Sequence, residues 1–415
     1  MKKKFNIWLQ IVTICLCICT IAVGVYSATT AQITAGGKIG FVAHGCKVSV
    51  NGYIYGHAMK NGVDDVDGLP VAKPTTEAEK IKLSNTDLVV EAGVTSTLDF
   101  GKRYFSDMQS DDGKPNDIFI VIVVTNATPN FKVRATMDLS ESATKFANGK
   151  VIATPYCNFS QVLETSGTNQ TAEFVYRLEL QKTGDVYADL DADTASISLK
   201  MSFEKYSTPT AQDYSYLTFE RYDDTAKTVY VTGFDNSIAN VIIPFEIKNG
   251  DKVYSVTRIY EYAFLSKDKL VYISLPNTIT YLDEGAFQIC KNLIGLFCPD
   301  SIEGIDAVSI IYGCTSLVAV KLPNNENYTM MPGTFFHACA SLTEITIPAS
   351  IISIGSVAYG CTSLKTITCL ATTPPTISAL ADSQVLKKIY VPSASVNAYK
   401  TADVWQDFAS IIEGI

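Results

Sequence analysis

Histidine is almost missing from this chain: His44, His57 and His337 are the only three in 415 residues. No H-E-x-x-H, G-x-S-x-G or phosphate-cradling glycine loop occurs. Hydrolysis by an activated serine, zinc proteolysis and nucleotide chemistry therefore have no sequence support. Glycoside hydrolysis needs only two carboxylic acids, so composition alone leaves that one chemistry open. The expectation is that the protein is not an enzyme and carries no cofactor.

Charge is also scarce, at 18% of residues, and basic charge is outnumbered, with 33 Lys and Arg against 42 Asp and Glu. The net charge of -9 gives no general basic footprint for nucleic acid and repels anionic partners overall. With 47% apolar residues, extensive disorder is excluded. Two tryptophans stand against 22 tyrosines, and tyrosine suits both strands and exposed contact surfaces.

Metal-binding patterns are absent as well. His44, Cys46 and His57 match no zinc spacing and lack an evident fourth ligand. Asp189, Asp191 and Asp193 alternate, as do Asp64, Asp65 and Asp67 in part, but no glycine turn or closing glutamate makes either run an EF-hand. Both read as solvated turns.

At the start of the chain, Lys2, Lys3 and Lys4 precede an apolar run over residues 7–25, broken mainly by Gln10. Two readings stand for residues 1–28: a signal peptide cleaved after Ser27 or Ala28, or a retained membrane anchor. Either one exports the rest of the chain. Cys15, Cys17 and Cys19 have no lipobox around them, and the end of the chain shows no sorting signal.

Residues 37–206 have a strand-like texture. Asp117 to Val124 reads DIFIVIVV, Ala172 to Leu180 reads AEFVYRLEL, and Ala195 to Phe203 reads ASISLKMSF. Period-two patterning with one polar side predicts antiparallel sheets packed as a β-sandwich. A loop is expected over 52–74, a short helical turn near 76–82, and a linker over 207–213. Cys46 and Cys157 either pair or stand as separate buried thiols.

The second half repeats. Leu270, Leu293, Leu317, Leu342 and Leu364 lie 23, 24, 25 and 22 residues apart, and Cys290, Cys314, Cys339 and Cys361 each precede a leucine by three. A unit this short cannot bury its own apolar face and must stack on its neighbour. A leucine-rich solenoid is predicted over 259–392, with opening strands over 214–258 and a C-terminal cap over 393–415. Its coils pair Ala263 with Phe264, Ala286 with Phe287, Phe335 with Phe336 and Ala358 with Tyr359. The four cysteines should form a ladder of free buried thiols, because strand spacing of about 4.8 Å exceeds the ~3.8 Å between Cβ atoms of a disulfide. Ser393 or Ser395 should cap a short helix, and Trp405, Phe408, Ile411 and Ile412 should seal the last coil.

The strings AFQICKNLIGLFCP, FFHACASLTEITIPASI and IGSVAYGCTSLKTITC resemble the BspA-like leucine-rich repeats of bacterial surface proteins. The resemblance covers residues 216–412. It implies an exported, cell-surface or secreted bacterial protein with a binding or adhesion role, and a surface protein or glycan as partner. The leader and strand-rich first half faintly resemble camelysin and TasA-like exported proteins, which implies self-association into fibres. The favoured function is therefore binding or adhesion through the repeat face. The second is a structural subunit of an envelope layer or fibre assembled through the first domain. The outward positions of the strand face are the candidate binding residues: Tyr272, Ser274, Phe297, Lys321, Thr343, Glu344, Thr346, Lys365, Thr366 and Thr368.

Overall fold

A computed structural model of the chain describes residues 33–56, 73–74, 76–91, 96–105, 117–140, 145–146, 151–180, 182–183, 186–187, 195–305, 309–380 and 385–415. The leader, His57 and both aspartate runs (residues 64–67 and 189–193) lie outside these residues. The chain is mostly β, in several sheets.

Two sheets make up the first region. One orders its strands as Ser160–Leu163, Val133–Met137, Ala195–Lys205, Ile33–His44 and Ser96–Phe105. The other runs Ile81–Lys82, Lys47–Gly56, Asp117–Asn126, Thr171–Leu180, Val151–Pro155 and Lys145–Phe146, with Leu88–Glu91 also on Lys47–Gly56. Alternate residues of both sheets meet in one apolar cluster that includes Phe41, Ile122, Phe174, Leu199 and Phe203. Ile33–His44 pairs parallel with Ala195–Lys205, where alternation had predicted only antiparallel neighbours. Parallel pairing needs a long crossover, and here most of the region lies between the two strands.

Two further sequence expectations fail for reasons visible in the backbone. Residues 52–56 belong to a strand, not a loop. Gly52 and Gly56 are used there because a side chain would collide with the backbone of Val121 and Asp117 respectively. Residues 76–79 form a turn and Ile81–Lys82 a strand instead of a helical turn. Cys46 and Cys157 are separate thiols. Cys157 Sγ accepts the Val175 N–H at 3.2 Å.

On its far face the second sheet buries an ion pair, Arg177 Nε to Asp117 Oδ2 at 2.5 Å. Burial pushes the Asp117 carboxyl up to about 6, against the pull of Arg177. The same face carries Tyr53, Tyr55, Val121 and Val175, with Phe119 and Tyr156 packed beside them.

The second region opens with two antiparallel pairs, Leu217–Asp223 with Thr228–Phe234 and Glu246–Asn249 with Lys252–Ile259. Parallel ladders follow, one rung per coil. On one side stand Asn240–Ile242, Tyr272–Ser274, Gly295–Phe297 and Ala319–Lys321, then Glu344–Ile347, Thr366–Cys369 and Lys388–Val391. On the other stand Tyr281–Leu282 and Gly304–Ile305, then Met330–Met331, Ser353–Ser356 and Thr376–Ala379. The return segment of each coil thus has its own short strand. All five repeat leucines are fully buried in the cluster between the two sides.

The turn before each cysteine explains the repeat. The residue preceding it is left-handed in every coil: Ser266 (φ 55), Ile289 (φ 59), Gly313 (φ 74), Ala338 (φ 59) and Gly360 (φ 76), with Lys267 holding the cysteine position in the first. Each thiol then donates to a carbonyl one coil earlier. Cys290 reaches Phe264 O at 2.9 Å, Cys314 reaches Phe287 O at 3.1 Å, Cys339 reaches Ile311 O at 3.2 Å and Cys361 reaches Phe336 O at 2.9 Å. Burial raises all four thiols above their ordinary range. In the fifth coil the buried pair is Val357 and Ala358, while Tyr359 is 71% exposed. Counting back from Cys361 gives that register; matching the aromatic letter does not.

The last coil is closed by the helix Val396–Thr401 and by Trp405, whose indole N–H donates to Pro375 O at 2.9 Å. Ile412–Gly414 extends the ladder beside Lys388–Val391, and Phe408 and Ile412 are buried. Ser395 stands at the N-cap position of the helix, but its side chain makes no capping bond. Ser395 Oγ donates to Thr372 O at 2.6 Å and Ser393 Oγ to Ile415 O at 3.1 Å, so both tie loops together instead.

Candidate ligand-binding surface

Outward side chains on the strand side form two rows. Ladder register sets Tyr272, Gly295 and Ala319 in one row, continued by Glu344, Thr366 and Lys388. Ser274, Phe297, Lys321, Thr346 and Thr368 form the other. The candidate binding residues among them were expected to face solvent. The structure divides them.

The first coils meet the first region. Ser274 Oγ donates to Ser160 O at 2.7 Å and accepts from Ser160 N–H at 3.1 Å. The Leu275 N–H donates to Asn158 Oδ1 at 3.0 Å. Tyr272 and Ile242 pack on the core of the two sheets. Phe297 lies edge-on to Tyr156 with ring centres 5.6 Å apart, and Tyr156 Oη donates to Glu344 Oε1 at 3.3 Å. Burial and the nearby Glu344 carboxylate hold the Tyr156 hydroxyl well above the usual phenol range. Ser274 and Phe297 are therefore buried at 1% and 4% exposure. Thr366 is buried too, at 2%, a short side chain between the longer Glu344 and Lys388 of its row. Lys321 and Thr346 are exposed, while Tyr272, Thr343, Glu344, Lys365 and Thr368 are half-buried.

The segment joining the regions is tied down as well. Thr208 Oγ1 donates to Glu246 Oε1 at 2.7 Å, Thr210 bridges Lys248, and Tyr214 is buried. Composition suggested a linker because it shows Ser, Thr and Pro but not their partners.

Beside this contact the two regions enclose a half-open cleft of about 800 Å³. From the first region Tyr55, Lys73, Tyr156, Asn158, Gln161 and Glu173 line it; from the coils come Phe297, Asp300, Ser301 and Lys321. Of these first-region residues only Asn158 carries a sequence signal, the sequon Asn158-Phe159-Ser160. Tyr55, Gln161 and Glu173 lie on three different strands, Tyr156 and Asn158 on the loop before Ser160–Leu163 and Lys73 on no strand, and no spacing links them to the coils.

Among the described residues, no group of three or more His, Cys, Asp or Glu is placed to hold a metal. His337, on the other side of the coils, bonds Ser356 through Nε2 at 3.2 Å, and burial lowers its pKa.

Residues 307–401 match the family described as BspA type leucine rich repeat region, in six copies. No curated protein matches the chain. Solved structures that resemble it include a leucine rich cell surface protein from Faecalibacterium prausnitzii, 16% identical over 44% of this chain and 70% of that one, TM-score 0.27. A leucine rich repeat protein of T. pallidum is 17% identical over 50% of this chain and 98% of its own, TM-score 0.34. One from Bacteroides capillosus is 23% identical over 42% and 94%, TM-score 0.24. The likeness of the first half to camelysin and TasA-like proteins gains no support from these comparisons. Residues 307–401 thus match BspA type leucine rich repeats, and they lie within the stack of parallel-paired coils described above.

Proposed function

We propose that this is an exported protein that binds or adheres to a surface protein or glycan through the strand face left open by the first region. We read that first region as a β-sandwich whose corner seats on the early coils. The observation that carries the reading is the division of the outward rows. Coils one and two give their face to an internal contact, and Lys321, Thr343, Thr346, Lys365 and Thr368 remain accessible. That remnant is mild and weakly charged, and it is built on parallel strands that hold it rigidly. Such surfaces bind through many modest contacts. The apolar leader supports export, and the repeat type supports a binding role. The envelope-fibre alternative is the second reading: the edge strand Ser160–Leu163 spends its first residue on Ser274, while Ser96–Phe105 stands at the other edge of that sheet.

The test is adhesion of residues 29–415 to whole cells and host-surface extracts. Thr346→Glu and Lys365→Glu reverse the character of the open face without touching the core. Each should weaken binding about tenfold or more, with secretion and circular dichroism unchanged. Undiminished binding in the double variant would remove the open face from consideration.

A further inference from the structure

We infer that the cleft between the two regions is a second binding site, for the end of an uncharged, hydroxyl-rich glycan chain. The inference deepens the binding role proposed above and rests on it for the source of the ligand. It does not depend on the open face of the later coils.

Charge selects the class. The cleft holds two cations and two anions, and each is already matched: Lys73 with Glu173 at 2.5 Å and Lys321 with Asp300 at 2.6 Å. An ionic ligand would find no spare countercharge and would have to break a pair to make one. A neutral ligand meets no such cost.

Hydrogen-bonding capacity, by contrast, is left over. Asn158 is oriented by the Leu275 N–H on its Oδ1, so its Nδ2 is the free end. Gln161 Nε2 donates to Asn158 O at 3.3 Å and Glu173 O at 3.2 Å, which leaves Oε1 as an acceptor. The Tyr55 hydroxyl has no hydrogen-bond partner among the described residues, although the side chain is only 8% exposed. One fixed donor, one fixed acceptor and one hydroxyl that can do either suit a ligand whose own groups are hydroxyls.

Aromatic surface supplies the rest. Tyr55 stacks on Phe119 with ring centres 4.8 Å apart, and Phe119, Tyr156 and Phe297 continue the set edge to face. Tyr55, Tyr156 and Phe297 of this set line the cleft and give it apolar surface for the C–H side of a sugar. The volume, about 800 Å³, fits the range of roughly 300–1,000 Å³ typical of small-ligand sites, enough for a few sugar residues.

The experiment uses the exported chain on an array of neutral and acidic oligosaccharides, followed by calorimetry on the best neutral trisaccharide. Binding is expected to neutral sugars, at a Kd below about 1 mM. Asn158→Asp keeps the acceptor for Leu275, deletes the free donor and adds one unmatched carboxylate charge to the cleft. Tyr55→Phe deletes only the hydroxyl. Each should weaken the trisaccharide about tenfold, while Thr346→Glu leaves it unchanged. Signal confined to acidic sugars, no signal at all, or cleft variants that bind like the unaltered chain would overturn the inference. Sugar binding lost in Thr346→Glu and kept in the cleft variants would overturn it and leave the open-face reading standing. Cell adhesion unaffected by Thr346→Glu, with sugar binding lost in the cleft variants, would overturn the open-face reading alone.

Discussion

The two regions reach a rigid β structure by opposite means. In the first, strands of about ten residues, such as Lys47–Gly56, Asp117–Asn126 and Thr171–Leu180, pair over nearly their whole length. Their register is fixed by side chains meeting across two faces. In the second, rungs of two to four residues carry few ladder bonds each. There the turn fixes register, through a left-handed residue and a thiol bonded to the coil before. Long strands tolerate local irregularity because many bonds share it. A short-rung array is only as regular as its turns.

The largest expected effect separates the regions directly. Leu317 is fully buried in the coil core, and Leu317→Ala should cost about 2–5 kcal/mol. In urea it should lower the midpoint of the coil array and leave that of the two-sheet region in place. A single transition that shifts as a whole would show that the Ser160–Ser274 contact fuses the two into one cooperative unit.

Breaking the first region from inside should cost nearly as much. Arg177→Met strands the buried Asp117 carboxylate, a loss of about 3–5 kcal/mol. The pH dependence has a definite sign. Asp117 titrates near 6 in the folded chain, above the ordinary value of about 3.9. The folded state therefore binds more protons between pH 4 and 6, and this group's contribution to stability falls as pH rises through that window. Asp117→Asn should flatten that slope, read from urea midpoints at pH 4, 5, 6 and 7.

A smaller effect probes the turns. Cys314→Ala removes the thiol donor and leaves Phe287 O without it, at a cost of about 1–2 kcal/mol. Cys314→Ser, which keeps a donor, should lose less. Native coils should also resist alkylation at pH 8, since burial raises these thiols, and should react only on unfolding.

The smallest change has the opposite sign. Ile289 is β-branched at φ 59, a conformation that costs an L-residue roughly 1–2 kcal/mol. Gly313 and Gly360 occupy the same turn position without that strain. Ile289→Asn should raise the thermal midpoint of the array by a few degrees, and a drop would mean that its half-buried side chain matters more than its backbone.

The sequence exposed the array far better than the first region. Leucine and cysteine at steps of 22–25 residues located the coils, because the same packing problem is solved again in each. The alternating faces of Ala195–Phe203 and the apolar run at Asp117 located strands but not their neighbours. The parallel partner of Ile33–His44 is set by chain path, and no local pattern encodes path. Gly52 and Gly56 looked like loop residues because glycine composition does not distinguish flexibility from close approach. The candidate face was half legible: ladder register placed its rows, but coverage by Asn158 and Ser160 is a contact between residues over a hundred positions apart. The cleft was not legible at all for the same reason.

The cysteine bonds carry one more consequence. Each of the four ladder thiols looks back to the coil before it, so each coil finds its partner once its predecessor exists. A copy of one coil inserted after Pro323 would find its acceptor waiting and would offer an equivalent carbonyl to the next. The length of this array is thus a quantity that tandem duplication can change without redesign, in steps of a single turn.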